Sequence, residues 1–241
     1  MPNRAALALR DPWRSAAAVI RRVFPNSRIG VMWIQLPDGS ITFREDGFVA
    51  ARSPSALLAR HNFEVRRIRQ ELSGLVAEHS LEIGCGFGRL SLTIADFSRD
   101  HVAVDINPRA LQQAKRAYPG PTYEQATAQR LPFADQSFDL VISWTVLQHI
   151  RPGMIEAAAA EILRVLTPGA TLLICEETYD PKWPGVHSWH RTVDTYQDLF
   201  QPLELLRHGY LEEIDRLRGE RSPGEVMVFR MPDLEQPVVD R

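Results

Sequence analysis

Leu81-Glu82-Ile83-Gly84-Cys85-Gly86-Phe87-Gly88-Arg89-Leu90 is the stretch that decides the reading of this chain. A short apolar run, Ser80 to Ile83, meets three glycines at alternate positions. An apolar helical pattern follows, with Leu90, Leu92, Ile94 and Ala95. That order predicts a strand, a tight turn and a helix. Glycine serves where the backbone needs dihedrals closed to other residues, or where a ligand must approach without meeting a Cβ. The helix after the turn offers unpaired N–H groups and the positive end of its dipole to an anionic group.

The spacing narrows the ligand. The dinucleotide fingerprint is Gly-x-Gly-x-x-Gly, with an acidic residue about twenty positions on for the ribose hydroxyls. Here the last gap is one residue short, and Glu82 stands just before the first glycine. Asp105 ends the next apolar run, His101-Val-Ala-Val104, where it is placed to accept from ribose hydroxyls. The pattern implies a nucleoside ligand and does not require a pyrophosphate.

Outward from this stretch, strand-like runs alternate with helical ones. The expected strands are Leu81–Ile83, Val102–Val104, Leu140–Ser143, Leu172–Glu176, Leu203–Tyr210 and Val226–Phe229. Alternation of this kind predicts an α/β fold, a doubly wound parallel sheet with helices on both faces. Ligands of such a sheet gather at the carboxyl ends of its strands. The strand order therefore sends Gly84 to Gly88, Asp105 and Ile106, Thr127 to Arg130, Ser143 to His149, and Glu176 to Arg191 to one crevice.

With 241 residues and 44% hydrophobic content, the chain suits one domain with an accessory segment. No apolar run has the length of a membrane span, and the first residues do not read as a secretory signal. A formal net charge of −2 creates no field for nucleic acid, so no nucleic-acid partner is expected. Cys85 and Cys175, one in the glycine turn and one in an apolar run, do not form a disulfide framework. They fit a reducing cytoplasm. Arg66, Arg67 and Arg69 read as a solvated helix face.

Four motifs in order carry a resemblance: Glu82 to Gly88; Val104-Asp105-Ile106; Leu131-Pro-Phe133 with Ser137-Phe-Asp-Leu140; and Arg164-Val-Leu-Thr-Pro-Gly169. Together they resemble class I S-adenosylmethionine (SAM)-dependent methyltransferases, nearest to the small-molecule subgroup that includes ubiquinone, menaquinone and natural-product enzymes. The resemblance runs from about Leu72 to Arg230. It implies a Rossmann-like sheet of seven strands, mostly parallel, with Gly224 to Arg230 as an antiparallel strand. It also implies SAM as cofactor, S-adenosylhomocysteine as product, and a small-molecule acceptor, with oxygen the expected methylated atom and nitrogen and carbon acceptors left open.

The resemblance assigns roles residue by residue. Glu82 lies near the methionine amino group or orients the turn. Gly84, Cys85, Gly86 and Gly88 form the cradle, Asp105 takes the ribose hydroxyls, and Ile106 lies against adenine. Many relatives carry Gly-Asp-Ala before the Leu-Pro-Phe element. Here Thr127 stands at the Asp position and Ala128 follows, with Gln129 as a substitute acceptor. Ser143 ends the fourth strand, and Trp144 after it lines the transfer site, with core packing as the alternative. His149 matches a histidine frequent in the subgroup, as a base or as a structural hydrogen-bonding group. His187 and His190 fall in the region where the acceptor pocket is built and are further candidate bases, with surface histidines as the alternative. His-x-x-His lacks a defined third ligand, so no metal site is expected.

Before the core lie elements outside the common pattern. Asp11-Pro12 starts a predicted helix that ends before Pro25. Val31–Leu36 and Ile41–Arg44 flank Pro37-Asp38-Gly39-Ser40 as a hairpin. A further helix begins at Ser53-Pro54 and runs through Leu72; its Arg60, His61 and Arg67 are candidates for touching the cofactor carboxylate or substrate, against solvated charges as the alternative. The expected organisation is a cap segment over 1–70, a SAM-binding domain over 71–231 and a loose tail over 232–241. The hairpin caps the site or serves a homodimer contact, with plain packing as the alternative. The competing functions are an RNA or protein methyltransferase, a non-catalytic SAM-fold binding subunit and a dinucleotide-dependent dehydrogenase.

Overall fold

The computed structural model describes residues 33–35, 41–43, 54–178, 189–211 and 224–233. Strands β1 (Trp33–Gln35) and β2 (Ile41–Phe43) pair antiparallel, Trp33 opposite Phe43, as the hairpin pattern predicts. The helix expected from Asp11, the turn at 37–40 and the tail beyond 233 lie outside the described residues.

The main sheet has seven strands: β3 (Ala77–Ile83), β4 (Ser98–Asp105), β5 (Thr122–Gln125), β6 (Phe138–Trp144), β7 (Leu166–Glu177), β8 (Glu204–Tyr210) and β9 (Gly224–Arg230). Their order is β5-β4-β3-β6-β7-β9-β8. Counted within the sheet alone this is 3-2-1-4-5-7-6, the class I methyltransferase arrangement. β3, β4, β5, β6 and β7 run parallel, and β9 is antiparallel to both β7 and β8. Strand order reverses between β3 and β6, so the topological switch point lies where the glycine turn leaves β3.

Two apolar layers cover the sheet because buried side chains alternate along each strand. Leu140, Ile142 and Trp144 of β6, with Leu173 and Cys175 of β7, pack against Ile68 and Leu72 of α1 (Pro54–Glu71) and Ile94 of α2 (Ser91–Ala95). The intervening Val141, Leu172 and Ile174 join Ala158, Ile162 and Val165 of α4 (Ile155–Val165) and Tyr196 of α5 (Val193–Leu199). Between them in the chain, α3 (Pro108–Ala117) starts at an Asn107 cap that accepts from the Arg109 and Ala110 N–H groups.

Two expectations are corrected here. β5 was absent from the predicted strands, because Thr122-Tyr-Glu-Gln125 lies at the sheet edge and buries only Tyr123. It therefore shows no apolar run. Arg67 is not a solvated charge: it pairs with Glu71 and donates to the carbonyls of Gly209 and Tyr210, docking α1 on β8. Arg69 stays exposed and pairs with Asp96.

Ile142 sits at the centre of the α1 side of the core, fully buried. Ile142→Ala should cost about 2–5 kcal/mol of stability, measured by urea denaturation; a change under about 1 kcal/mol would mean that this layer collapses around the missing atoms.

Candidate active site at the carboxyl edge of the sheet

The glycine turn is built by three backbone constraints. The Gly84 and Cys85 N–H groups both donate to the Val104 carbonyl, which stitches the end of β3 to β4. Gly84 has φ +73, and a Cβ there would meet Val146 at 2.3 Å, so the turn closes against the segment after β6. Gly86 also has positive φ, but nothing lies within 4 Å of where its Cβ would stand. That open space lies on the crevice side of the turn and suits close approach of a ligand.

Asp105, buried at the end of β4, faces this space. Its two carboxylate oxygens accept from Gly86 N–H and Asn107 N–H, each at 2.8 Å. Burial raises its pKa, while those N–H groups oppose the rise. The Ile106 N–H adds a third backbone donor, and a carboxylate with about four acceptor sites retains capacity for a ligand hydroxyl. Ile106, the next residue, is 63% exposed, an apolar surface left uncovered at the mouth of the crevice. After β5, Thr127 is exposed, Ala128 is buried and Gln129 is half-buried; the Thr127 carbonyl accepts from Arg130 N–H. The buried Cys85 thiol is pushed up by burial and by the charges of Glu82 and Asp105. Open room at Gly86, a carboxylate with spare acceptor capacity and an exposed apolar neighbour together fit a nucleoside with a diol and a flat base.

The segment after β6 is held rigid from both sides. Thr145 takes φ +58, a strained value for a β-branched residue. Glu176, fully buried at the end of β7, accepts from Ser143 Oγ and from the N–H groups of Val146, Leu147 and Gln148. Burial pushes its pKa up to about 7 against the pull of those donors. Arg191 closes the other side, donating to the carbonyls of Leu147, Ile150 and Trp189. Gln148 completes the tie, its Oε1 accepting from Glu177 N–H and its carbonyl from Trp189 N–H. The segments after β6 and β7 are thus one interlocked wall.

His190 is buried on that wall with Nε2 at 2.6 Å from Glu177 Oε2. This contact fixes the ring orientation. His149 is exposed, its Nε2 lying 3.4 Å from Gln148 Nε2. His187 lies outside the described residues. Trp144 is buried in the α1 layer.

A buried ion cluster ties α1 to the glycine turn. Glu64 is fully buried and pairs with Arg60 of its own helix at 2.8 Å and with Arg89, just past Gly88, at 2.5 Å. His61 Nδ1 lies 3.3 Å from Arg89. Burial would raise the Glu64 pKa, but Arg89 and Arg60 outweigh it and hold the carboxyl at about 2. Burial and the Arg89 charge lower His61 to about 4, so it is neutral at neutral pH. Arg60 is therefore not a solvated charge. The Arg60–Glu64 spacing of four is legible in a helix. The Arg89 partner is a tertiary contact with no local signal.

Gly84 to Gly88, Asp105, Ile106, Thr127 to Gln129, Ser143, His149 and His190 lie along the edge formed by the ends of β3, β4, β5, β6 and β7, whereas Trp144 and Glu82 point into the layer beneath and Arg67 docks on β8. Residues 81–174 match the family described as a methyltransferase domain. The match covers less than half of the chain, and over that region the chain is similar to methyltransferase domains. A demethylmenaquinone methyltransferase of Beutenbergia cavernae is 35% identical over 107 residues, 44% of each chain. An O-methyltransferase of Aspergillus sclerotiorum is 28% identical over 163 residues, 65% of this chain and 60% of that one. The chain spans about half the length of the curated relatives it matches. An N-methyltransferase of Bradyrhizobium japonicum, solved in complex with S-adenosylhomocysteine, shares the fold with TM-score 0.58 at 20% identity, covering 74% of this chain and 88% of that one. Among the described residues, no helix is long and apolar enough to cross a membrane.

The Glu64 cluster has a signed pH dependence. Its folded pKa is lowered from 4.5 to about 2, so its stabilisation is present above about pH 4.5 and is lost as pH falls toward 2. Glu64→Gln should lower stability at neutral pH by about 3–5 kcal/mol and flatten the acid limb of the stability curve. Urea denaturation across pH checks both; an unchanged acid limb would show that Glu64 does not carry the charge that holds α1 to the turn.

Proposed function

We propose that this protein transfers the methyl group of SAM to a small-molecule acceptor, at oxygen. The observation that carries the reading is the Gly86–Asp105–Ile106 cradle at the ends of β3 and β4, with the Glu177–His190 pair past the end of β7 on the same edge of the sheet. SAM supplies a methyl already activated by a sulfonium, so the protein's work is alignment, exclusion of water and removal of a proton.

In this reading Asp105 holds the ribose hydroxyls, Ile106 lies against adenine, and the Ala128 N–H with the side chains of Thr127 or Gln129 meets the adenine edge. Glu82, Gly84, Cys85 and Gly88 shape the cradle, and Ser143 and Trp144 support the floor of the transfer site. His190, His187 and His149 are the candidate bases for the acceptor's hydroxyl proton, and at His190 the Glu177 carboxylate would balance the imidazolium. An O-methyltransferase and demethylmenaquinone methyltransferases among the relatives support a hydroxyl-bearing or ring acceptor. Acceptor recognition falls to the segment 1–70 and to the loop after β7, which carry Trp33, Trp183 and Trp189 beyond the core motifs. The domain 71–231 then serves SAM, with 232–241 as a tail.

SAM and S-adenosylhomocysteine should bind in titration calorimetry and NAD should not. Asp105→Ala should weaken SAM by about 1.5–3 kcal/mol. NAD bound more tightly than SAM would overturn the reading.

His190→Ala and Glu177→Gln should each lower kcat about 100-fold or more on a hydroxyl acceptor, with SAM affinity unchanged. The assay is a mass shift of one methyl across a panel of phenols, alcohols and amines. Near-normal turnover in His190→Ala would remove it as the base and leave His149 or His187.

A further inference from the structure

Beneath the glycine turn a line of buried polar side chains runs from β4 to Glu82 and the start of α2. Ser98 Oγ meets Ser80 Oγ at 2.6 Å, and Ser80 Oγ meets His101 Nδ1 at 2.7 Å. His101 Nε2 stands 3.5 Å from Glu82 Oε2, and Ser91 Oγ donates to that same oxygen at 2.5 Å. Ser80 and Ser91 are fully buried, Glu82 is 3% exposed and His101 6%. The line joins the start of β4, the middle of β3 and the first residue of α2.

A buried carboxylate is costly unless charge and hydrogen bonds meet it. The groups facing Glu82 from each neighbouring element can be named. His101 comes from β4 and Ser91 from α2. Tyr123 of β5 reaches Ser91 and lies within electrostatic range of Glu82, as do the Cys85 thiol of the turn and Asp105 at the end of β4. Asp105 is a like charge, and the two carboxylates bracket the turn. His101 is the one group of this set that brings an N–H able to carry positive charge. Ser80 pins the opposite ring nitrogen, so the ring cannot rotate away without losing a 2.7 Å contact.

We propose that His101 is a positioning residue for the cofactor, holding Glu82 as an oriented carboxylate that, through Ser91, sets the start of α2 against the glycine turn. This rests on the reading of the crevice as a SAM site. Removing the imidazole leaves the Glu82 carboxylate with the Ser91 hydroxyl alone of this pair, and its orientation is no longer fixed from the β4 side. The start of α2 and the cradle above it then lose their fixed geometry, although none of these side chains needs to touch the cofactor.

The test is SAM affinity by titration calorimetry near neutral pH, together with the melting temperature of each variant. His101→Leu should bind SAM about ten-fold or more weakly. His101→Gln, which retains an N–H donor, should restore most of the affinity. A wild-type dissociation constant in His101→Leu overturns the proposal. So does an equal loss in the Leu and Gln variants, since that is the behaviour of a packing residue. Should His101→Leu fail to fold, Ser80→Ala decides: it leaves the imidazole in place but unpins it, so weaker SAM binding at an unchanged melting temperature supports the proposal and unchanged binding overturns it. Wild-type protein that binds no SAM would refute the cofactor reading itself, an outcome distinct from any variant effect.

Discussion

A carboxylate moved out of water loses several kcal/mol of solvation unless donors replace that water, and the carboxyl edge of this sheet buries Glu64, Glu82, Asp105, Glu176 and Glu225. Each is met differently. Glu64 takes two guanidinium groups, Glu82 a serine hydroxyl and an imidazole, and Asp105 three backbone N–H groups. Glu176 takes three N–H groups and a hydroxyl, while Glu225 is shared between Thr178 and His208. In every case but Glu225 the donors include a segment that borders the crevice. The requirement to satisfy these acids is therefore also what shapes the site.

The consequence is a crevice with preorganised walls. The glycine turn is tied to β4 through Val104 and Asp105, to α1 through Arg89 and to α2 through Glu82. The segment after β6 is tied to the segment after β7 through Glu176, Gln148 and Arg191. Thr145 holds its positive φ because that surrounding network over-determines it. Methyl transfer asks chiefly for alignment, and such walls resist the small displacements that alignment cannot tolerate.

Much of this was legible before any coordinates. The glycine turn, Asp105 and most of the core strands are local patterns, and local patterns persist because side-chain periodicity and glycine chemistry act over a few residues. The strand order then brought Asp105, Ser143 and Glu176 to one edge without any contact being known. β5 escaped because an edge strand with one buried residue has no periodic signal. Arg67 was misread because a helical arginine looks the same whether it meets solvent or the carbonyls of a distant strand.

The amino-acid sequence by itself determined the α/β class, the switch-point turn and the SAM-family motifs, since each rests on residues within one turn or one strand–turn–helix unit. Tertiary structure alone decided the partners of the buried charges. Arg89 and Glu64 are twenty-five residues apart in the chain, His101 and Glu82 nineteen, and Arg191 and Leu147 forty-four. Pairing at such separations depends on the register of strands and the seating of helices, which set distances to within an ångström and leave no trace in spacing. The identity of His190 as a carboxylate-bound imidazole, and of Glu176 as the anchor of a turn, belongs to that second category: composition shows the groups, and only packing shows which donor meets which acid.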